Sequence, residues 1–220
     1  MKRAAVGILG GTFNPVHVGH LRGAIDSRDL LGLDKVLLLP AAQPPLKATP
    51  GVNAGHRAAM LDLAITGITG LAVDRRELSR AGPSYTIETL QELRAELGPD
   101  IPLVFIMGAD GLQKLHLWHR WQELLGLANI ALMTRPLPAL QVSREVQTWL
   151  AAHEVLPGDL LTQAAGHFTR LAQTAFDISS TELRHALHTG ANVRFLLPDP
   201  VLEYINDHGL YRASKLSNGE

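Results

Sequence analysis

The stretch LGGTFNPVHVGH, residues 9–20, joins the end of an apolar run to the start of a segment with helical period. Apolar residues over 4–9 predict a buried strand, and the spacing over 20–31 predicts an amphipathic helix. Gly10 and Gly11 carry no Cβ, so the backbone there can approach a bound anion closely. A strand, a glycine turn and a helix in this order bring N–H groups to the carboxyl edge of a parallel sheet, where phosphates bind. The stretch therefore predicts a nucleotide site.

Two histidines lie at the end of this stretch, and several roles are open to them. His17 and His20 are three residues apart, so a helix that begins near Val18 places both on one face at its positive end. There an imidazole can donate hydrogen bonds to phosphate oxygens and, when protonated, neutralise charge on a leaving group. For an isolated pair, capping of the helix backbone is the more common role. Metal binding lacks a carboxylate or cysteine beside the pair, so we predict no protein-held metal.

Short apolar runs alternate with segments of helical period along the rest of the chain, which is typical of βαβ units that feed a parallel sheet. The predicted strands are 4–9, 35–39, 71–74, 103–107, 130–133 and 174–178. The predicted helices are 20–31, 56–65, 84–97, 118–125, 143–152, 180–187 and 201–207. The pattern over 137–174 leaves the order of its elements open. We predict an α/β fold with one domain over 1–212, a small helical C-terminal part over about 180–212, and a polar tail over 213–220.

Composition and charge exclude several classes of protein. The 220 residues carry 20 basic and 21 acidic side chains and no cysteine. A formal charge of −1 gives no general attraction for a nucleic-acid backbone, and the lack of cysteine excludes disulfides, thiolate metal sites and iron–sulfur clusters. No apolar stretch approaches the ~20 residues of a membrane span. We expect a cytoplasmic protein without a nucleic-acid or membrane partner.

The segment PAAQPPLKATPGVNAG, residues 40–55, contains four prolines and two glycines. It cannot continue a helix or a central strand. A loop of this length inside a compact domain is either a binding segment or lid, or a solvated connection without a role. Its composition favours neither interpretation.

Two segments resemble ATP-binding elements of one enzyme family. GGTFNPVHVGH, residues 10–20, resembles the GGTF[DN]PxHxGH element of the nucleotidyltransferases that carry an HxGH motif, and ISSTELR, residues 178–184, resembles their second ATP-binding element. Hydroxyl and N–H groups at a helix start suit triphosphate oxygens, and an arginine one turn later adds a permanent charge. The resemblance implies a Rossmann-like fold with a parallel sheet flanked by helices. It also implies ATP contacts at Gly10, Gly11, Thr12, Phe13, His17, His20, Gly108, Asp110, Ser179, Ser180, Thr181 and Arg184.

The same resemblance implies which groups assist the reaction. His17, His20 and Arg184 become the catalytic residues, with the histidines on the ATP phosphates and the arginine on the leaving pyrophosphate. His20 is the stronger candidate for stabilising the transition state. Mg²⁺ is expected to arrive with ATP, bound by phosphates and water more than by protein carboxylates. Asn14 stands where aspartate is more usual in the family, which removes a charge.

One segment resembles an acceptor-binding element of the bacterial nicotinate mononucleotide adenylyltransferases. GADGLQKLHLW, residues 108–118, resembles their GxDxxxxLxxW element, with Trp118 at the aromatic position. The face of a tryptophan can stack on a pyridine ring, and the positive charge of a nicotinate nucleotide ring strengthens that contact. Without the resemblance, a core tryptophan is the simpler interpretation, and Trp121 fits the core role better than Trp118 does.

A second acceptor element lies upstream. PSYTIETL, residues 83–90, resembles the PSYTxxTL element of the same enzymes. Ser84 can cap the helix that follows, which leaves the N–H groups of Tyr85 and Thr86 to meet a carboxylate. Taken alone, the segment is an ordinary capped helix. In the loop after the second strand the family often has PPHK, whereas this chain has PPLK; Lys47 can still reach a phosphate, but the histidine donor is absent.

Together these resemblances imply an enzyme that joins ATP to nicotinate mononucleotide and releases pyrophosphate. LPDPVLEYINDHGLY, residues 197–211, matches the family's ending, so the resemblance covers nearly the whole chain and is weakest over 137–174. Two alternatives stay open: another enzyme of the HxGH class, such as a phosphopantetheine adenylyltransferase, and a nucleotide-binding regulator without catalysis. The expected partners are ATP and nicotinate mononucleotide. The sequence predicts neither the oligomeric state nor the preference between the acid and amide mononucleotides.

Overall fold

The computed structural model describes residues 4–46, 51–134, 141–174 and 176–212. Its strands are β1 Val6–Gly11, β2 Lys35–Pro40, β3 Leu71–Val73, β4 Leu103–Gly108, β5 Asn129–Thr134 and β6 Phe168–Ala172. Its helices are α1 Val18–Leu31, α2 Ala54–Ile65, α3 Arg76–Ser79, α4 Thr86–Leu97, α5 Ala109–Gln113, α6 Arg144–Ala151, α7 Ser180–Thr189 and α8 Asp199–Asp207. Three 3₁₀ helices span Leu115–Leu117, Trp121–Gly126 and Pro157–Thr162.

The six strands form one parallel sheet in the order β3-β2-β1-β4-β5-β6. The chain adds strands to one side of β1 as far as β3 and then to the other side from β4 onward. The switch point therefore lies between β1 and β4, whose carboxyl ends are adjacent. In sheets of this topology, ligands bind in the crevice outside the carboxyl ends at the switch point. The predicted Rossmann-like α/β fold is confirmed.

Helices cover both faces of the sheet because its central strands are apolar on both sides. On one face α1, α2 and α8 pack on the sheet in a cluster that includes Leu21, Ala24, Met60, Leu61, Val201 and Ile205. On the other face α4, α6 and the second 3₁₀ helix contribute Ile87, Leu90, Leu124, Leu125, Val146 and Leu150. In β1, a Cβ on Gly7 would lie 2.8 Å from the side chain of Leu33 and 2.9 Å from that of Val36. That position therefore accepts only glycine without a shift of its neighbours.

Five predicted strands are confirmed within a few residues at each end, and the sixth, over 174–178, is wrong. Phe168–Ala172 takes the edge position beside β5, from the pair Ile130↔Phe168 to the pair Thr134↔Ala172. By Thr174 the chain has left the sheet, because the N–H of Thr174 donates to the carboxylate of Asp26 on α1 at 3.0 Å. The segment 137–174, whose order was open, supplies α6, the third 3₁₀ helix and β6.

The helix predicted over 118–125 is also wrong. Trp118 has extended backbone (φ −78°, ψ 144°) and separates the first 3₁₀ helix from the second. Arg120 has a left-handed conformation (φ 53°, ψ 38°), which the interior of an α-helix cannot contain. The apolar period over this segment is therefore produced by a short 3₁₀ helix that begins at Trp121. Within the part of the chain that the structure describes, no helix is both long enough and apolar enough to cross a bilayer.

Candidate active site

The glycine turn follows β1 and is tightly packed. Phe13 is 2% exposed and has a left-handed backbone (φ 46°). A Cβ on Gly11 would lie 3.1 Å from the Phe13 ring, so glycine lets the chain turn back over this side chain. The peptide bond between Asn14 and Pro15 is cis. The turn leads directly into α1, whose N-cap residue is His17.

His17 and His20 lie together at the start of α1, as the spacing predicts. Their rings stack with centroids 3.6 Å apart. The ring of Phe13 packs edge-on against that of His20, with centroids 5.0 Å apart. The N–H of His17 donates to Nδ1 of His20 at 3.3 Å. A neutral imidazole that accepts at Nδ1 carries its proton on Nε2 and is a donor on that side. His20 therefore combines a capping contact with a donor suited to a phosphate oxygen, so the two interpretations left open by the spacing are compatible.

The first turn of α7 docks on the glycine turn and brings the second segment predicted to bind ATP to the first. The hydroxyl of Ser180 donates to the carbonyl of Pro15 at 3.0 Å. The guanidinium of Arg184 donates to the carbonyl of Asn14 at 2.8 Å and to the hydroxyl of Thr181 at 3.2 Å. Ser179 caps α7 through a capping box with Glu182. Four residues predicted to contact ATP are thus assembled beside His17 and His20.

The C-terminal end of the described chain also reaches this turn. The hydroxyl of Tyr211 donates to Oδ1 of Asn14 at 2.6 Å, and Asn14 is buried. Burial raises the pKa of the Tyr211 hydroxyl, against the opposing effect of the Arg184 and Arg57 charges. The hydroxyl is therefore neutral near pH 7 and acts as a donor. Sequence analysis did not single out this residue, because the contact joins positions 197 residues apart.

Sequence analysis also missed Arg57, whose side chain is buried behind the turn. It is 1% exposed and donates to the carbonyls of Thr12 at 2.7 Å, Val52 at 3.3 Å and Ala42 at 3.4 Å. One signal was present in the sequence: Arg57 has helical spacing to Leu61 and so lies on the apolar face of α2. A charged residue at a core-facing position is uncommon, and it marks a specific contact.

Gly108 and Asp110 lie next to the glycine turn, at the end of the neighbouring strand. β4 ends at Gly108, which is the N-cap of α5, and Asp110 lies exposed in the first turn of that helix. Because β1 and β4 are paired, both residues share the switch-point edge with His17 and His20.

The two acceptor elements approach one another through ring contacts. Trp118 is half-buried and packs edge-on against Phe105, with centroids 5.8 Å apart. Tyr85 lies against the ring of His119 with centroids 4.6 Å apart. His119 was not predicted as a site residue, although it follows Trp118 directly. Thr86 is the first residue of α4, and Tyr85 is its N-cap.

The sequence predicts that Ser84 caps α4, but its side chain does not do so in the structure. Its hydroxyl oxygen accepts from the N–H groups of Ala42 at 3.0 Å and Gln43 at 3.3 Å. It therefore ties the start of α4 to the loop after β2, the loop that continues to Lys47. Lys47, predicted to reach a phosphate, lies outside the described residues.

Phosphate groups suit this edge of the sheet, because helix N-termini, imidazoles and an arginine converge there. Within the described ranges no group of three or more histidine, aspartate or glutamate residues is placed to hold a metal ion. The chain has the fold and the candidate site of a nucleotidyltransferase.

Comparisons with known proteins agree with this class. The model of the cytidylyltransferase-like family matches residues 8–186. A protein of Pseudomonas fluorescens curated as "Probable nicotinate-nucleotide adenylyltransferase" is 45% identical over 208 residues, covering 94% of this chain and 97% of the relative. Its namesake from Pseudomonas entomophila is 46% identical over 209 residues, covering 95% of each chain. The chain belongs to the cytidylyltransferase-like family and, within it, to the nicotinate-nucleotide adenylyltransferases.

Solved structures agree on the fold. The Plasmodium falciparum nicotinic acid mononucleotide adenylyltransferase complexed with NaAD superposes with a TM-score of 0.69 at 16% identity, covering 94% of this chain and 97% of that chain. The same enzyme complexed with APC gives a TM-score of 0.71 at the same identity and coverage.

Proposed function

We propose that this protein transfers the adenylyl group of ATP to nicotinate mononucleotide, forming nicotinate adenine dinucleotide and pyrophosphate. The observation that carries the proposal is the docking of α7 on the glycine turn, through Ser180 and Arg184. It joins two segments 165 residues or more apart in sequence into one anion-binding surface. The family to which the chain belongs supports nicotinate mononucleotide as the acceptor.

The proposed reaction needs no nucleophilic side chain. The phosphate of the mononucleotide attacks the α-phosphorus of ATP in line, and pyrophosphate leaves. Catalysis then rests on positioning and on stabilisation of the charge that develops on the phosphate oxygens. His17 and His20 hold the ATP phosphates, with His20 closest to the transition-state charge, and Arg184 holds the leaving pyrophosphate. Gly10, Gly11, Thr12 and Phe13 supply the turn on which these phosphates lie.

The acceptor binds, in this proposal, between the two aromatic elements. The half-buried face of Trp118 takes the pyridine ring, which is cationic in the mononucleotide. The N–H of Tyr85 donates to the carbonyl of Pro83 at 3.1 Å, so the N–H of Thr86, at the start of α4, is the group that receives the nicotinate carboxylate. His119, in ring contact with Tyr85, adds a second donor beside that carboxylate. Lys47 stays the predicted ligand of the mononucleotide phosphate.

A divalent cation accompanies ATP in this reaction, and we take it to be Mg²⁺. The protein offers no ligand cluster of its own among the described residues, which fits a cation held by phosphate oxygens and water. Such an ion neutralises part of the triphosphate charge. Gly108 and Asp110, at the end of β4, are the groups of this chain placed to contact its water shell or the nucleotide.

One domain over 1–212 suits this function. Leu183, Val201 and Ile205 of the C-terminal helices belong to the same apolar cluster as Leu61 of α2. The helical C-terminal part therefore packs on the domain that carries the first ATP-binding segment.

A pyrophosphate-release assay tests the proposal. Purified protein is given ATP and Mg²⁺ with nicotinate mononucleotide, nicotinamide mononucleotide or phosphopantetheine, and the product is identified by mass. We expect release with nicotinate mononucleotide and a product of the mass of nicotinate adenine dinucleotide. Release only with phosphopantetheine, or ATP binding without release for any acceptor, would refute the proposal in favour of another transferase or a regulator.

A further inference from the structure

Arg57 places a positive charge behind the glycine turn, in a position that solvent does not reach. The side chain is 1% exposed, and its three nitrogens donate to the carbonyls of Thr12, Val52 and Ala42. These carbonyls belong to the turn after β1, the start of α2 and the loop after β2. One guanidinium thus fixes three segments that meet at the carboxyl edge of the sheet.

The partners of Arg57 carry no negative charge. In residues 4–46, 51–134, 141–174 and 176–212, no carboxylate bonds to its guanidinium. The neighbouring ionisable group is the hydroxyl of Tyr211, whose pKa is raised by burial and which is itself beside Arg184. Burial lowers the pKa of Arg57, but an arginine stays protonated near neutral pH. Burying a cation without an anion costs free energy of folding, so such a group is retained where a function compensates for that cost.

The contact with Thr12 also sets the direction of the turn. The carbonyl and N–H of a trans peptide point in opposite directions. Because Arg57 holds the carbonyl of Thr12 at 2.7 Å, the N–H of Phe13 points away from the guanidinium. The turn therefore presents a donor on the side opposite the buried charge.

We propose that Arg57 is a positioning residue for the triphosphate of ATP, which it orients through Thr12 and attracts by a buried charge that no carboxylate of the described residues neutralises. The proposal rests on the proposed function, since it takes ATP as the ligand of this turn. The polyphosphate then supplies the counter-charge that the described part of the chain does not give Arg57. Arg57 contacts no substrate; it acts through the turn and through its electrostatic field, which is screened far less for a buried charge than for a surface one.

Arg94 offers a matched control at the opposite edge of the sheet. Its guanidinium also donates to backbone carbonyls, those of Gly98, Pro99, Ile101, Leu127 and Ala164. Burial lowers the pKa of Arg94 as it does that of Arg57. The two residues make the same kind of contact and differ in location and burial. The Arg94 partners lie at the amino ends of β4 and β5 or before β6, and Arg94 is partly exposed whereas Arg57 is buried.

The test measures ATP binding by calorimetry, with Mg²⁺ and without acceptor, for the parent, Arg57→Gln, Arg57→Lys and Arg94→Gln. Melting temperatures and the KM of both substrates are measured on the same samples. We expect Arg57→Gln to weaken ATP binding about tenfold or more, with the KM of the mononucleotide changed less. Arg94→Gln should lower the melting temperature and keep the ATP Kd within about twofold of the parent.

Arg57→Lys separates charge from structure, because a buried ammonium titrates at a lowered pKa whereas a guanidinium does not. Relative to the parent at each pH, its ATP Kd should be near normal at about pH 6.5 and approach that of Arg57→Gln by about pH 9. If Arg57→Gln fails to fold, the rise of the Arg57→Lys Kd with pH, relative to the parent, still decides the proposal. An ATP Kd of Arg57→Gln within about twofold of the parent, or a pH-independent defect in Arg57→Lys, would overturn it. The readout that decides the proposal, the ATP Kd, is measured without acceptor, so the proposed function can fail while this proposal holds, and the reverse.

Discussion

Arg94 at the amino edge of the sheet and Arg57 at the carboxyl edge make the same kind of contact with different consequences. Arg94 fastens the end of α4 to the starts of two strands, where chain segments simply pass from helix to sheet. Arg57 fastens three segments that also carry His17, His20 and the docking surface of α7. At the amino edge, the guanidinium of Arg94 is bonded to backbone carbonyls of the segments that lead into the strands. The carboxyl edge keeps donors and charges in positions where a ligand can use them, which is where function is concentrated in parallel α/β folds.

The largest effect expected from this difference is on turnover. His20→Ala removes a donor aimed at developing phosphate charge, so kcat should fall about 10²–10³-fold. The fold should persist, because the variant loses one capping contact, worth about 1 kcal/mol. Steady-state pyrophosphate release and thermal unfolding measure the two quantities.

His153→Ala is the control at the amino edge. His153 also contacts backbone at a helix end, with Nδ1 2.8 Å from the carbonyl of Trp149, and its carbonyl accepts from the N–H of Phe168 at the start of β6. Its kcat should equal that of the parent. Near-normal turnover of His20→Ala would exclude the role given to His20 and remove the functional contrast between the edges.

The next effect is on stability alone. Arg94→Gln leaves several backbone carbonyls with fewer donors, so the free energy of unfolding should fall by about 2 kcal/mol. Urea unfolding measures the loss, and kcat/KM for both substrates should be unchanged. A fall in kcat/KM of Arg94→Gln would mean that the amino edge is coupled to the candidate site. Arg94 and Arg57 would then not differ in their effect on function.

The features that could be predicted from sequence are those that local patterns encode. The apolar run before Gly10, and those of β2 to β5, predict buried strands because each strand needs its own apolar side chains. The edge strand β6 could not be located, since the five residues FTRLA include two polar side chains and are partly exposed, so they form no clear apolar run. The helix at 118–125 was wrong because one left-handed residue, Arg120, interrupts an otherwise helical period.

The candidate site divides in the same way. His17 and His20 lie within a short motif and were predicted from it. Tyr211, Arg57 and the true role of Ser84 depend on contacts between residues 197, 45 and 42 positions apart. Such contacts exist only once the sheet has brought the loops to one edge, so no local pattern contains them.

A smaller effect separates the acceptor element from the core beside it. Trp118→Leu removes the aromatic face proposed for the pyridine ring, so the KM of nicotinate mononucleotide should rise about tenfold while that of ATP stays within about twofold. Trp121→Leu is the control, because Trp121 is 7% exposed and packs edge-on against Trp149 at 5.0 Å. It should lower the melting temperature and leave both KM values unchanged. If Trp118→Leu behaves like Trp121→Leu, Trp118 is a packing residue.

The smallest effect concerns a buried carboxyl group near the start of α4. Glu77 accepts from the hydroxyl of Thr89 at 2.7 Å, and burial raises the pKa of Glu77 above its ordinary 4.5, against the opposing hydrogen bonds and the Arg80 charge. The folded protein therefore binds this proton more tightly than the unfolded chain does. The stabilisation is fully present below pH 4.5 and is lost as the pH rises through the folded-state pKa.

Glu77→Gln tests whether the ionised carboxylate of Glu77 lowers the free energy of unfolding at neutral pH. The amide keeps an acceptor for Thr89 and cannot ionise, so its free energy of unfolding should exceed that of the parent near neutral pH by less than about 1 kcal/mol. The difference should shrink or reverse in acid, as urea unfolding across the pH range would measure. A parent that gains stability over the variant as the pH rises would show that the Glu77 carboxylate is favoured by its contacts. In that case the Glu77 carboxylate would be satisfied by its own contacts, as the Arg94 guanidinium is, and only the turn proposed to bind phosphate would differ from the amino edge.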